Sequence, residues 1–552
     1  MSFFFISIVI TNFFYLILGK IIVNKFLEQN VKNSSECAIL GIIFASFISL
    51  LINFFFPLNI IVNTITYFLI FLYFLLKRIQ INKKDFFFII ISTSISFGLI
   101  LFDTEYRPDA GLYHIPYVQI LNESKIIIGL SNLHFRFGHI SIMQYLSAFN
   151  YNIITNLNSI IIPLASLISF IYIYFFRDLL KFIKRKEATS IGKLFSLIIL
   201  VYLSYKINRY SEFGNDAPAH LFSFYLISKF IYLENNSLKN IKLIYIFSVF
   251  AFLNKVFLIF VFLLPLSMFL NDRKNFLKIL FSFPTLFLFL WLTKNILISG
   301  CIIYPIKNTC FTNLKWTNID DIEKVQIESE AWAKGWPQNK NSEINIRKFK
   351  KNFNWVEAWS SVHLKYIIKI LSPFILIIFT LFIFLNLKVK SINNEDKRIH
   401  LNFTNQKIII LLIMSLIGVV SFFLQSPIYR YGYSYIILFL FLFFLSLFSK
   451  INENNFLKIS KVIFIICFVV LTTKQAIRVQ DKYNERTFVP SYIFIDQEEL
   501  DNKYKKVKLS DDFNVYFSNT ECFYGRAPCS HYKENIINIR ADKRKTFHIL
   551  YN

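Results

Sequence analysis

Charge is scarce in this sequence. Of its 552 residues, 17% are Asp, Glu, Lys or Arg, where a soluble domain carries about a quarter. That shortage argues against an ordinary water-soluble enzyme. Nucleotide-handling motifs are missing as well. There is no Walker A sequence and no Gly-rich nucleotide loop, which speaks against a nucleotide-driven reaction. Cysteines number only six, and no His/Cys set has the spacing of a metal site. No metal and no cofactor is therefore expected, although Asp103 and Glu105 form a carboxylate pair of the kind that a divalent cation could meet. The apolar run from Phe3 to Leu18 has no basic segment before it and no small-residue cleavage site after it, so no cleavable signal peptide is expected.

What is present in quantity is hydrocarbon. Apolar residues make up 55% of the chain and aromatics 18%, with 67 Phe, and the mean hydropathy is +0.50. The abundance of Phe, Ile, Asn and Lys also fits an AT-rich genome. The apolar residues gather into runs long enough to cross a bilayer core, which takes about 17 to 25 residues each. The pattern predicts an all-α polytopic membrane protein with about fourteen transmembrane helices (twelve to fourteen). The spans are placed at 3–19, 38–56, 61–76, 85–102, 153–176, 190–208, 217–233, 241–253, 256–270, 276–293, 366–387, 408–424, 432–449 and 459–473.

The net charge of +26 does not read as a nucleic-acid face. Its Lys and Arg lie in short loops between the apolar runs, and those loops alternate. One set (20–37, 77–84, 177–193, 229–242, 271–278, 388–407, 450–461) holds 27 Lys and Arg; the opposite short loops (57–60, 103–152, 206–216, 254–255, 425–431) hold 7. The positive-inside rule makes the first set cytoplasmic and the N-terminus external. The chain then divides into N-terminal spans (1–102), an outer loop with surface helices (103–152), further spans (153–293), an outer Trp-rich segment (294–365), more spans (366–473) and a small soluble outer tail (474–552). The cytoplasmic loops leave no room for a catalytic domain, so any chemistry is expected on the outer face.

Candidate chemistry concentrates in the outer loops. Asp103, Glu105 and Asp109 lie within seven residues at the mouth of the fourth span, followed by His114 and Arg136. An ionised group beside hydrocarbon is costly unless paired or functional. Apolar residues at Leu112, Ile115, Val118 and Ile120 predict a helix lying on the membrane surface. Asp109 would be either the cap of that helix or a functional acid, and His114 either an interfacial side chain or a ligand. Asp216, two residues before Pro218, likewise reads as helix start or functional acid. Lys255, Lys294 and Arg430 are single cations at outer edges; each either snorkels or binds an anion. Arg430, in a tight tyrosine-rich loop, suits phosphate through its rigid fork.

Five of the six Trp fall in the outer segment, at 316, 332, 336, 355 and 359, as an interfacial belt or as sugar-stacking platforms. Cys301 with Cys310 and Cys522 with Cys529 form two local pairs on the oxidising side, read as two disulfides or as free thiols. Cys37 and Cys467 read as small core residues.

In architecture the assembled pattern resembles the GT-C class of membrane glycosyltransferases. It has many spans, a large acidic outer loop, further outer loops and a soluble tail. It also resembles a family of uncharacterised bacterial multi-pass proteins, in the stretch Asp109 to His114, in Gly129 to Arg136, in Asn215-Asp216-Ala217-Pro218, in Ser299 to Pro305, in Pro427 to Arg430 and in the Cys522/Cys529 tail. The GT-C resemblance implies transfer of a sugar from a polyprenyl-phosphate carrier to an acceptor hydroxyl, outside a bacterial inner membrane. Asp109 would be the general base and Asp216 an orienting acid. Asp103, Glu105, His114 and Arg136 would bind substrate, and Arg430 with Lys294 would neutralise the leaving phosphate. GT-C proteins carry the acidic loop after their first span; here it follows the fourth, so which acid matches the class's base stays open. A transporter or flippase of a lipid-linked glycan, and an O-antigen polymerase or ligase, are the alternatives.

Overall fold

The computed structural model describes residues 2–24, 33–103, 107–155, 157–185, 190–207, 209–210, 213–270, 276–336, 346–387, 398–400, 405–448, 450–484, 503–544 and 547–551. Helices dominate it. They are α1 (Ser2–Ile22), α2 (Ser34–Asn53), α3 (Ile60–Leu76), α4 (Lys83–Ile100), α5 (Ile115–Glu123), α6 (Ile142–Phe149), α7 (Ile162–Arg185), α8 (Ile191–Lys206), α9 (Asp216–Tyr232) and α10 (Leu238–Asn254). They continue as α11 (Leu263–Leu270), α12 (Phe276–Leu280), α13 (Phe283–Ser299), α14 (Ile319–Ala333), α15 (Ile346–Lys350), α16 (Val356–Trp359), α17 (Lys365–Asn386), α18 (Gln406–Gln425), α19 (Tyr429–Leu447) and α20 (Glu453–Lys482).

The Asn-rich loops explain where many of these helices start. Asn33, Asn59, Asn82, Asn318, Asn405 and Asn452 each accept a hydrogen bond from a first-turn N–H, satisfying a donor that the helix itself cannot.

Among the described residues, seven helical segments are long and apolar enough to cross a membrane: Ser2–Ile22, Ser34–Asn53, Leu157–Lys184, Val356–Asn386, Gln406–Gln425, Tyr429–Leu447 and Glu453–Lys482. Three shorter apolar helices, Ile60–Leu76, Val256–Leu270 and Phe283–Ser299, accompany them. Large apolar side chains stand on the outside of the bundle, among them Phe68, Phe86, Leu376, Val462 and Ile465. Exposed apolar surface on helices of this length marks contact with lipid, and the chain is a helical membrane protein. Inside the bundle α1 and α2 approach to backbone contact, because a Cβ on Gly41 would fall 1.8 Å from the Tyr15 carbonyl oxygen. Small residues at such crossings drive helix association in lipid.

Described residues from the loops cluster at two ends of the bundle. At one end Lys20 pairs with Asp85, Lys193 with Asp178 (2.8 Å) and Lys229 with Glu36 (3.1 Å). There, too, β1 (Arg398–His400) pairs antiparallel with β2 (Lys450–Asn452). Described residues of the 107–152, 213–216, 254–255 and 425–431 loops gather at the other end with residues from 303–332 and 532–535.

The soluble tail carries strands and a short helix, Lys533–Asn538: β3 (Tyr504–Ser510) and β4 (Phe513–Ser518) form an antiparallel pair, β5 (Cys529–Ser530) joins β4 in parallel, and β6 (Arg540–Arg544) pairs with β7 (Phe547–Tyr551). One expectation is corrected. The helix after Asp109 does not lie on a surface. Residues Ile115–Asn122 of α5 are all buried, because the tail covers the face that the apolar pattern left open. The Phe523 N–H donates to Gly111 O at 2.9 Å, Gln119 Nε2 to Gly525 O at 2.9 Å, and the Leu550 N–H to Ile128 O at 2.9 Å.

The two-ended arrangement predicts labelling from opposite sides. In sealed vesicles, an impermeant thiol reagent should reach Lys324→Cys and Asp511→Cys from one side, and Lys83→Cys and Lys239→Cys from the other. Labelling of all four from one side would refute it.

Candidate functional site

Charged loops that meet beside hydrocarbon must find partners, and at the second end of the bundle they enclose a cavity of about 1160 Å³. Its wall takes residues from 107–114, 135–140, 213–216, 253–260, 303–306, 318–332, 421–431 and 532–535, with Trp291 and Asn295 of α13.

Four ionised side chains form its centre. Asp216 is the first residue of α9, and Lys255 follows the last residue of α10. Lys255 Nζ contacts Asp216 Oδ1 and also donates to Arg430 O at 3.0 Å. From the start of α19 the Arg430 guanidinium lies 3.8 Å from an oxygen of Asp109 and 3.8 Å from an oxygen of Asp216. Burial alone would raise the Asp216 pKa, but Lys255 and Arg430 outweigh it and hold this carboxyl below its ordinary value.

The geometry decides several alternatives that the sequence leaves open. Asp109 makes no side-chain capping bond to the π-helical turn Ala110–His114 that follows it, and its carboxylate is half exposed in the cavity. Asp216 likewise is no cap, since its oxygens face the two cations. Arg430 does not snorkel; it turns inward, near the rings of Trp332 (5.8 Å) and Tyr431 (5.2 Å). Trp355 and Trp359 pack against Phe423, and Trp359 Nε1 donates to Pro427 O at 2.7 Å, which holds the loop that presents Arg430. Trp332 is the member of the outer tryptophans that faces the cavity.

His114 and Arg136 also line the wall. Gln144 holds the imidazole: its Nε2 lies 2.9 Å from His114 Nδ1. Arg136 stacks over Tyr113 (5.5 Å) and Phe135 (4.9 Å). Both disulfides form, Cys301–Cys310 and Cys522–Cys529. The first closes the turn carrying Tyr304, whose ring packs on Gly138 at the cavity wall. The second carries Phe523, which packs on Gly111.

Other candidates lie elsewhere. Asp103 is buried away from the cavity, 3.9 Å from Arg107 and 4.0 Å from Arg209, so cations already occupy the surroundings where a divalent ion would bind. Glu105 lies outside the described residues. Lys294 does not follow its span, because α13 runs on to Ser299 and ends at Gly300, with φ +77°. Its ammonium is buried 3.5 Å above the Trp291 ring and does not line the cavity. Among the described residues, no cluster of three or more His, Cys, Asp or Glu is arranged to hold a metal.

Sequence reasoning undervalued Lys255, which reads as a snorkelling lysine until Asp216 is seen beside it. It missed Tyr532, Glu534 and Asn535 of the tail and Asp321, Lys324 and Glu328 of α14, all on the wall. No local signal marks these as cavity residues.

Fold and site together define a helical membrane protein with a charged cavity at one end of its bundle. Residues 1–437 match the family model described as Domain of unknown function (DUF8201), and the chain belongs to that family. No curated protein and no solved structure matches it.

Burial lowers the His114 pKa from 6.5 to about 4, with Asp109 and Asp216 pulling it up and Arg136 and Arg430 pushing it down. Between those two values the unfolded chain binds a proton that the folded one refuses. Stability therefore falls as pH drops from 6.5 towards 4, by about 3 kcal/mol for this group. His114→Gln should flatten that part of the pH dependence of the melting temperature in detergent; an unchanged slope would show that the imidazole charges freely in the folded protein.

Proposed function

We propose that this chain is a multi-pass membrane glycosyltransferase with a GT-C-like plan. In this reading about fourteen helices cross the membrane, and a sugar passes from a polyprenyl-phosphate donor to an acceptor hydroxyl on the outer face of a bacterial inner membrane. The observation that supports it most is the meeting of Asp109, Asp216, Lys255 and Arg430 in one large cavity. That cavity also has an apolar edge, Val256, Phe257, Ile259 and Phe260, of which Val256 and Ile259 are exposed. An amphiphile needs both surfaces at once.

In the proposed reaction Asp109 accepts the proton of the acceptor hydroxyl. The acceptor oxygen bonds to the anomeric carbon, the bond from that carbon to the phosphate oxygen breaks, and the phosphate leaves with the electron pair. Positioned base catalysis of this kind contributes roughly 10²–10⁴-fold. Asp216 faces Arg430, the cation that faces Asp109, and so positions the base. Trp332 offers a face for the sugar ring.

Asp109→Asn should abolish transfer of labelled sugar from a lipid-linked donor extract to acceptor while leaving the protein's amount and melting temperature unchanged. Undiminished transfer would remove Asp109 from this role.

A second reading, a transporter of a lipid-linked glycan, draws on Lys294. Ionisable groups buried within spans mark transport pathways, and Lys294 sits inside α13 with no carboxylate in ion-pair range among the described residues. Movement of a labelled lipid-linked sugar across vesicles without chemical change would favour this reading over transfer.

A further inference from the structure

The four central ions cancel: two carboxylates face two cations. An anion arriving there would compete with partners already in place. Two other groups on the wall are differently placed.

Arg136 lines the cavity between the faces of Tyr113 and Phe135, and no carboxylate lies within ion-pair distance of it among the described residues. Its fork lies over two ring faces and lines the cavity. His114 is nine-tenths buried, and its protonation pattern is set by a chain of hydrogen bonds. The Ser141 N–H donates to Gln144 Oε1 at 3.1 Å, which fixes the amide orientation. Gln144 Nε2 then donates to Phe213 O at 3.2 Å and to His114 Nδ1 at 2.9 Å. With Nδ1 accepting, the neutral ring must carry its proton on Nε2. No protein group among the described residues accepts from that Nε2–H, and the residue lines the cavity. The ring of Tyr113 links the two groups, 4.2 Å from the His114 ring by centroids and under the Arg136 guanidinium. Burial raises the Tyr113 pKa, so its hydroxyl keeps its proton. The charged groups that act on His114 are Asp109, Asp216, Arg136 and Arg430.

We propose that Arg136 and the Nε2–H of His114, with Gln144 as the residue that positions the imidazole, form a seat for a phosphoryl group. The donor set selects this chemistry. A planar fork takes two oxygens, which would use up a carboxylate, whereas a phosphoryl group keeps a third oxygen for the imidazole. The proposal rests on the glycosyltransferase reading only in assigning that phosphoryl group to a lipid carrier, whose chain would follow the apolar edge of the same cavity. It moves the phosphate contact from Arg430 to Arg136.

The test uses the full chain in detergent with two probes, farnesyl phosphate and inorganic phosphate. Farnesyl phosphate should bind at least tenfold more tightly than inorganic phosphate. Equal affinity would assign the seat to free phosphate and overturn the lipid assignment. Arg136→Gln should weaken binding at least tenfold. His114→Phe should do likewise, while His114→Gln, which keeps an amide N–H, should restore most of the affinity. Nitrogen-15 spectra of labelled histidine should show His114 as the neutral Nε2–H tautomer at pH 7. Its Nε2 resonance should move on adding farnesyl phosphate to the wild type but not to Arg136→Gln.

An Nδ1–H tautomer, or no binding of either probe to the wild type, would overturn the seat. So would binding lost in Arg430→Gln yet intact in Arg136→Gln, a result that leaves the glycosyltransferase reading standing. Arg136-dependent phosphate binding without any sugar transfer would sink that reading and keep the seat.

Discussion

The ion network of Asp109, Arg430, Asp216 and Lys255 organises this end of the molecule. Each of these groups sits at the end of an apolar run, where an isolated charge would be costly. Meeting one another removes that cost and fixes the relative placement of the turn before α5, the starts of α9 and α19 and the end of α10. Neutral contacts then reinforce it. Arg430 O accepts from Lys255 and lies 3.0 Å from His220 Nε2, Tyr433 OH reaches Asp216 O at 3.4 Å, and His220 Nδ1 lies 2.7 Å from Ser434 Oγ. The cavity is the space left in front of this junction.

The network is paired without being saturated. Arg430 stands 3.8 Å from each carboxylate, beyond hydrogen-bond range, and its buried Nε has no hydrogen-bond partner. Coulomb attraction falls off slowly with distance, whereas a hydrogen bond needs close approach and alignment. The guanidinium is thus oriented by the field of the two acids while keeping donors unused. Preorganised polar groups of this kind avoid reorganisation when charge develops nearby.

Much of this was legible in the sequence, and the rest was not for definite reasons. Apolar run length marks a helical membrane protein, since it follows directly from the bilayer as solvent, and seven helical segments among the described residues are long and apolar enough to cross one. The same logic singles out Asp109, Asp216 and Arg430, because a charge at the edge of hydrocarbon asks for a partner. It cannot say which partner. Lys255 looks like a snorkelling lysine until the fold sets Asp216 beside it. Lys294 misleads in the opposite direction: a charge in an apolar run reads as a helix end, but α13 continues to Gly300, where the positive φ suits glycine. The spacing of Leu112, Ile115, Val118 and Ile120 reports one apolar face of α5. That the other face is also buried depends on the tail, a pairing that no local pattern encodes.

The tail therefore belongs to the site although it stands at the far end of the chain. Phe523 seals against Gly111, where a Cβ would meet its ring at 2.5 Å, directly behind the turn that follows Asp109. Asn535 Nδ2 donates to Asn132 O at 3.2 Å, and Tyr532, Glu534 and Asn535 complete the wall. A carboxylate at the mouth of a bundle would otherwise lie open to water on its backbone side. With the tail in place, the turn carrying Asp109 is backed by packed protein, and its side chain is left facing the enclosed space. Helices bring the charges together; the tail, through the helix Lys533–Asn538 and its cap Tyr532, completes the wall of the cavity in front of them. The constraint runs both ways. Gly111 and Gly129 admit the tail only because they lack a Cβ, the second at φ +72° with the Leu550 carbonyl oxygen 2.0 Å from where a Cβ would stand.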